Sequence, residues 1–362
     1  MATADGMADT THALIYLVYG RQTYHQEALF SIASAYARLR ETPGEQLDVQ
    51  VFTDNAAAYQ GLPIQVHKLS EEALRAWQQP HGYHFRAKHA VLREVLQQQP
   101  RAALIDTDTF FRHSPAKLFA RIRNGYLLCN AINPRLADTP RDFAFKQLID
   151  HLKDREQIDE QMPLINSGVI GLTQENADTL DRSLELMDEL YPIAPSVYTL
   201  EEFVLAVAAY KRLELVDCTD LIHHYWSRKQ LFRAKIQAWL NKHESSLLST
   251  SALDDTQLVT DRLPRPPRAS RLLYKLRTLP LPAAMRQFSI ELFYGCHDYD
   301  NEFDRACGPV WWEKAATNAI ERHPDLPVEE LLGDWLNHKV LRNLLGHRLE
   351  EIRRHLRQQD LL

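Results

Sequence analysis

Short apolar runs and longer amphipathic stripes alternate along the first two thirds of the chain. ALIYLVYG (13–20) has the β-branched and aromatic character of a buried strand, and Gly20 closes it. From Tyr24 to Leu39 the apolar residues Leu29, Ile32, Ala33 and Tyr36 recur at helical spacing, and TPGE (42–45) ends that unit. LDVQVFTDN and IQVHKL predict two more strands, EEALRAWQQ and 83–98 two helices, and AALIDTDTF a further strand. The alternation continues through GYLLCNAI, LINSGVIGL, a helix over 176–190, TLEEFVLAVAAYK, LELVDC and LIHHYW. Strands alternating with helices predict an α/β fold, with a parallel sheet and helices packed on it.

From His243 the texture changes. HESSLLSTSALDDTQLVTDRLPRPPRAS is rich in Ser, Thr, Asp and Pro and predicts a linker or surface loop over 243–270. Beyond Arg271 the pattern is wholly helical. The expected organisation is therefore an α/β domain at 12–242, the linker, and a helical region at 271–362. The 362 residues leave ample room for a buried core, and 45% hydrophobic with 25% charged residues is ordinary for a soluble globular protein. A net charge of −6 argues against a nucleic-acid partner. The four cysteines form no C-x-x-C pair, which suits free thiols in a reducing compartment. The N-terminal segment lacks the basic stretch of a signal peptide, and no run approaches a membrane span, so the expected location is cytoplasmic.

In α/β sheets functional groups collect beyond the carboxyl ends of strands. Tyr19, Thr53–Asp54 and Asp106–Asp108 all occupy such positions. No G-x-G-x-x-G follows the first strand and no phosphate-binding P-loop occurs, which excludes the usual dinucleotide and P-loop enzymes. Asp106 and Asp108 flank Thr107 at a strand end, where a bend lets both carboxylates approach one cation. Hard oxygen ligands suit Mg²⁺ or Mn²⁺, and such an ion suits a diphosphate leaving group. The competing interpretations are a solvated strand end and the D-x-D-x-T signature of haloacid-dehalogenase-like phosphatases. That signature normally lies on the first strand, whereas here two polar-ended strands precede it.

Further candidates lie downstream. Asn166, Ser167 and Gly168 interrupt the apolar LINSGVIGL, either as a β-bulge or as a close backbone approach to a sugar whose hydroxyls Asn166 would bind. His223 and His224 follow another apolar run, and an imidazole would complete a Mn²⁺ set. Arg228 and Lys229 then come close enough in sequence to meet phosphates. Arg86 and Lys88 sit on the helix before the D-x-D strand. Seven basic residues and no acid fall between Arg262 and Arg286, either a solvated connector or a contact with anionic lipid, each cation near such a surface contributing about 1 kcal/mol. Trp311 and Trp312 are expected first as packing anchors and second as an acceptor platform.

The order of these motifs resembles that of the GT-A glycosyltransferases over roughly residues 12–232. The nearest type is family 8, which includes bacterial lipopolysaccharide galactosyl- and glucosyltransferases and glycogenin. The resemblance implies a Rossmann-like mixed sheet flanked by helices with a helical C-terminal extension. It also implies a retaining, metal-dependent hexosyltransferase that uses a nucleotide-sugar donor, a UDP-sugar, and a saccharide or lipid-linked acceptor. Asp106, Asp108 and His224 would then hold Mn²⁺ or Mg²⁺, His224 being preferred to His223 because HYWSRK places Lys229 at the family's phosphate-binding lysine. Asn166, Ser167 and Gly168 would line the sugar site, with Thr107 beside them, Arg86, Lys88 and Lys229 would be auxiliary cations, and Arg228 would meet the donor's phosphates. Tyr19 and Asp54 would hold base and ribose. TLEEF departs from the family's Asp-Gln pair, leaving Glu201 and Glu202 as catalytic candidates alongside the two aspartates, and either glutamate could instead serve as the acceptor's base in an inverting enzyme. Residues 262–286 would contact the inner face of an anionic membrane. A non-catalytic nucleotide-sugar-binding protein on the same fold remains the alternative from a different class.

Overall fold

The computed structural model describes residues 12–139, 143–153 and 155–362. The N-terminal segment expected to lack a targeting signal lies largely outside the described residues. The chain divides into two compact units: the first runs to Trp226 and includes Leu247–Asp254, and the second comprises Ser227–Ser246 and Asp255–Leu362.

In the first unit the elements are β1 (His12–Val18), α1 (Gln22–Leu39), β2 (Leu47–Thr53), β3 (Gln65–Lys68), α2 (Glu71–Gln78), α3 (Arg86–Leu96), β4 (Arg101–Ile105) and β5 (Thr109–Phe111). There follow α4 (Pro115–Phe119), β6 (Tyr126–Arg135), α5 (Phe143–Leu152), β7 (Pro163–Thr173), α6 (Asp178–Leu190), α7 (Leu200–Ala209), β8 (Glu214–Val216) and β9 (Ile222–His224). Seven strands form one sheet in the order β3-β2-β1-β4-β7-β6-β8. β1 to β4 are mutually parallel, and β6 and β8 share their direction. β7 alone is reversed, antiparallel to both β4 and β6. The fold is thus α/β with helices packed on a mixed sheet, not the all-parallel one that alternation by itself suggests.

The reversal has a direct consequence for chemistry. Ile105, the last residue of β4, pairs with Val169, so the polar triplet Asn166–Gly168 at the beginning of β7 lies level with Asp106. A parallel β7 would have sent that triplet to the opposite edge. The two-stranded ribbon β5–β9 lies beyond the main sheet and pairs Thr109 with His224 antiparallel.

The strands bury Ala13, Ile15, Ala102, Leu104, Ile170 and Leu172 against α3, α6 and α7. His89 on α3 is fully buried in this packing, its Nδ1 3.0 Å from Ser183 Oγ on α6. Burial, followed by the nearby cations Lys88 and Arg86, pushes its pKa down to about 3.

In the second unit α8 (Lys229–His243) leads; α9 (Thr250–Asp255), inside the stretch predicted to be loop, belongs up to Asp254 to the first unit. Then come α10 (Arg268–Arg277), α11 (Ala283–Gly295), α12 (Glu302–Arg305), α13 (Gly308–Arg322), α14 (Val328–Asn337), α15 (Lys339–Leu345) and α16 (Arg348–Gln358). Met285, Leu292, Trp312, Leu332, Leu341 and Ile352 belong to their shared core. Trp311 is also buried, so both tryptophans are packing anchors. No helix among the described residues is long and apolar enough to cross a membrane.

His89 makes stability depend on pH. Its folded pKa lies below the ordinary value near 6.5, so the unfolded chain binds the extra proton and stability falls as pH drops from 6.5 toward 3. His89→Asn retains a hydrogen-bonding group near Nδ1 but cannot ionise. Between pH 7.5 and 5 the wild type should lose about 2 kcal/mol more stability than this variant, measured by urea unfolding. Parallel pH profiles would contradict the assignment.

Candidate functional site

The carboxyl edge of the parallel strands carries Tyr19 after β1, Asp54 after β2 and Asp106 after β4. Gly20, with φ of +92°, turns the chain from β1 into α1, and its N–H donates to Asp54 Oδ2 at 2.8 Å. His25 Nε2 lies 3.3 Å from the other Asp54 oxygen. Tyr19 is half-buried, its hydroxyl 3.4 Å from the His84 carbonyl.

Asp106 begins the turn between β4 and β5. Its N–H donates to the Gly168 carbonyl at 2.9 Å, and Thr109 Oγ1 donates to its own carbonyl at 2.8 Å. The Thr109 hydroxyl continues a buried chain through Ser31 Oγ (3.0 Å) to Tyr16 OH (2.9 Å), which ties the turn to α1 and β1. Half-buried Thr107 separates the two aspartates, and Asp108 is buried. Tyr225 N–H donates to the Asp108 carbonyl at 3.0 Å, continuing the β5–β9 pairing past His224.

Ligand atoms of Asp106, Asp108 and His224 all lie within 4.8 Å of one another. His224 Nε2 is 3.3 Å from Asp108 Oδ1, and Nδ1 is 2.8 Å from Asn166 Oδ1. The surrounding bonds set the tautomer. Asn166 Nδ2 donates to Glu202 at 2.9 Å, and Oδ1 accepts the Gly168 N–H at 3.2 Å, so His224 Nδ1 is the donor to that oxygen. The Nε2 lone pair of a neutral His224 then points toward the aspartates, the second-sphere arrangement that presents a histidine to a metal. Burial works against the charged imidazolium, but the hydrogen bond to Asp108 and the charges of Asp108 and Asp106 outweigh it and raise the pKa. A bound cation therefore has to displace a proton that these same carboxylates attract. Two carboxylates and one imidazole nitrogen suit Mn²⁺ or Mg²⁺, and the residues present fit such an ion.

His223 takes the opposite side of β9, as strand alternation requires. Arg112 Nη2 is 2.8 Å from its Nδ1 and the ring lies beside Phe110.

Lys88 is the second centre of the site. Its side chain is 10% exposed and its ammonium lies 2.9 Å from Asp106 and 3.3 Å from Glu201. Ser167 supplies its Oγ at 3.1 Å and its carbonyl at 3.2 Å. Burial alone would lower the lysine's pKa, yet the charges of Asp106 and Glu201 reverse that and raise it above the ordinary value. The Ser167 hydroxyl donates to Glu201 at 2.5 Å, and the Glu202 N–H donates to Glu201 Oε2 at 2.9 Å. Glu201 is thus an internal anchor at the start of α7. Glu202 remains partly exposed and accepts from Asn166 Nδ2 and from the Ser167 N–H, each at 2.9 Å. Burial first, and the Glu201 charge second, raise its carboxyl pKa.

The structure therefore brings Lys88, Asp106, Asp108, Asn166, Ser167, Gly168, Glu201, Glu202 and His224 into one network. Both ends of the Asn166 amide and the whole Lys88 ammonium are engaged by protein groups. Arg86 is elsewhere: its guanidinium grips both oxygens of Asp188 on α6 at 2.6 and 2.9 Å and donates to the Trp77 carbonyl. Arg228 and Lys229 belong to the second unit, where Arg228 donates to the Asp261 carbonyl at 2.9 Å and Lys229 opens α8. Sequence reasoning missed Tyr16, Ser31 and Thr109 as supports of the D-x-D turn. The available signal was hydroxyl residues at otherwise apolar positions of β1 and α1.

No family model matches the chain, and no curated protein matches it in sequence. Similar solved structures include the apo form of WbbM, a bifunctional glycosyltransferase, at 10% identity and a TM-score of 0.41, covering 59% of this chain and 39% of that one. The chain therefore spans well under half the length of WbbM. Apo mouse xyloside xylosyltransferase 1 is 14% identical with a TM-score of 0.40, covering 57% of this chain and 85% of its own. An active-site mutant of LgtC is 12% identical with a TM-score of 0.38, covering 56% and 72% respectively.

Gly168 gives the geometry a sharp test. A Cβ there would lie 2.3 Å from His224 Nδ1, so Gly168→Ala must displace the ring. Mn²⁺ affinity, measured by isothermal titration, should fall about tenfold or more, the usual effect of losing a ligand's orientation. An unchanged Kd would show that His224 is not held where the network puts it.

Proposed function

We propose that the protein is a metal-dependent GT-A-type glycosyltransferase that moves a hexosyl group from a UDP-sugar to a saccharide or lipid-linked acceptor. The observation that carries this is the convergence of Asp106, Asp108 and His224, from a strand-end turn and a distant ribbon, at the carboxyl edge of a mixed α/β sheet. The order of sequence motifs, which resembles that of the GT-A enzymes, supports the same function, and retention of configuration is adopted from that resemblance.

Asp106, Asp108 and His224 Nε2 would hold Mn²⁺ or Mg²⁺. When bound, the ion supplies positive charge to the diphosphate as the sugar's C1–O bond breaks. Asn166 keeps the His224 lone pair directed at that position. Lys88 neutralises Glu201 and part of Asp106, limiting repulsion among the clustered acids. Tyr19 and Asp54, just beyond the ends of β1 and β2, suit recognition of base and ribose. Glu202, the less buried of the two glutamates, suits contact with a sugar hydroxyl.

The lipid-linked alternative for the acceptor has support on α10. Leu272, Leu273 and Leu276 are exposed on the same helix as Arg268, Arg271, Lys275 and Arg277, and exposed Leu279 follows it. An amphipathic basic helix of this kind suits peripheral contact with an anionic membrane, at the cytoplasmic face.

UDP in the presence of MnCl₂ should raise the Tm, with about 2.7 kcal/mol of stabilisation when free ligand is 100 times Kd. EDTA should abolish the shift. Asp108→Ala should remove both the shift and turnover of UDP-sugar. UDP binding with neither metal dependence nor turnover would favour the non-catalytic alternative, and Mg²⁺-dependent hydrolysis of p-nitrophenyl phosphate would favour a phosphatase.

A further inference from the structure

The second unit contains a cavity of about 740 Å³ that the proposed reaction does not use. Arg228, Arg262, Arg265 and Lys314 line it, together with the carboxylates of Asp261 and Asp304. These cations come from three separate places: the residue before α8, the loop 259–267, and α13. Arg262, Arg265 and Lys314 are exposed and have no ion-pair partner among the described residues. Asp304 is already engaged, 3.2 Å from the ammonium of Lys235.

The loop that carries both arginines has no regular structure, yet its backbone is fastened from inside. Lys235, whose side chain is fully buried, reaches Thr260 Oγ1 at 3.2 Å and the Arg262 carbonyl at 3.1 Å. The Pro264 carbonyl accepts from Trp311 Nε1 at 2.8 Å and from the Tyr299 hydroxyl at 3.0 Å. Arg228 Nη1 holds the Asp261 carbonyl at 2.9 Å. Pro264, Pro266 and Pro267 further restrict φ. The carbonyls of Arg262 and Pro264 are thus satisfied by buried donors while the side chains of Arg262 and Arg265 remain at the cavity. Several like charges converging on a preorganised loop repel one another, and a multivalent anion relieves that repulsion. Guanidinium groups match phosphate oxygens in pairs, and the volume is that of an ordinary small-ligand site.

We infer that this cavity binds a phosphorylated ligand of sugar-phosphate size through Arg262, Arg265 and Lys314. The inference is independent of the proposed transferase reaction, and its test is run in EDTA so that the Asp106–Asp108–His224 cluster is silent. Glucose 6-phosphate is titrated into the full chain by calorimetry, with glucose as the uncharged control. Vesicles containing anionic lipid form a separate arm. One glucose 6-phosphate should bind per chain while glucose gives no signal. Arg262→Glu and Arg265→Glu, both at exposed positions, should each weaken binding at least tenfold with unchanged circular dichroism. Arg277→Glu, on α10 and outside the cavity lining, should stay within twofold. Three results would overturn the inference: no binding of glucose 6-phosphate to the folded wild type, an equal loss in Arg277→Glu, or cavity variants that lose only vesicle binding.

Discussion

Four carboxylates, from Asp106, Asp108, Glu201 and Glu202, gather at one edge of the sheet, and such a concentration of negative charge has to be compensated. Lys88 provides half of the answer. Its ammonium is buried between Asp106 and Glu201 and satisfied further by Ser167, so one side chain joins α3, the end of β4, the start of β7 and the start of α7. Removing one partner of such a buried pair costs about 3–5 kcal/mol, because the remaining charge is left without compensation. The other half falls to Asp108 and His224, whose donor atoms suit a divalent cation.

Topology makes this convergence possible. β7 is the only reversed strand of the main sheet, and its direction delivers Asn166–Gly168 to the edge where β1, β2 and β4 end. The β5–β9 ribbon then folds His224 onto Asp108 across more than a hundred residues of chain. Gly168 completes the fit, because the His224 ring occupies the space a side chain would need. The imidazole tautomer, the Asn166 amide and the Glu202 carboxylate are fixed by one another.

Much of this was legible in the sequence. Runs such as ALIYLVYG and AALIDTDTF announce strands with polar ends, and the amphipathic stripe over Leu29–Tyr36 announces α1. The direction of β7 was not legible, because an apolar strand buried on both faces reads alike in either sense. Lys88 looked like a solvent-facing or phosphate-facing cation, since helical spacing alone does not reveal that its stem passes through the core to Asp106. Arg86, two residues earlier, was equally ambiguous until α6 placed Asp188 against it. His224 could be told from His223 only by resemblance. The pairing register with Thr109 supplies the physical reason.

The most direct test of the account is Mn²⁺ binding followed by electron paramagnetic resonance, comparing the wild type with His224→Ala. The wild type should take up one Mn²⁺ per chain, with loss of the free-ion signal, and His224→Ala should bind at least tenfold more weakly. Failure of the wild type to bind Mn²⁺, or equal binding by the variant, would contradict the claim that Asp106, Asp108 and His224 form a metal site.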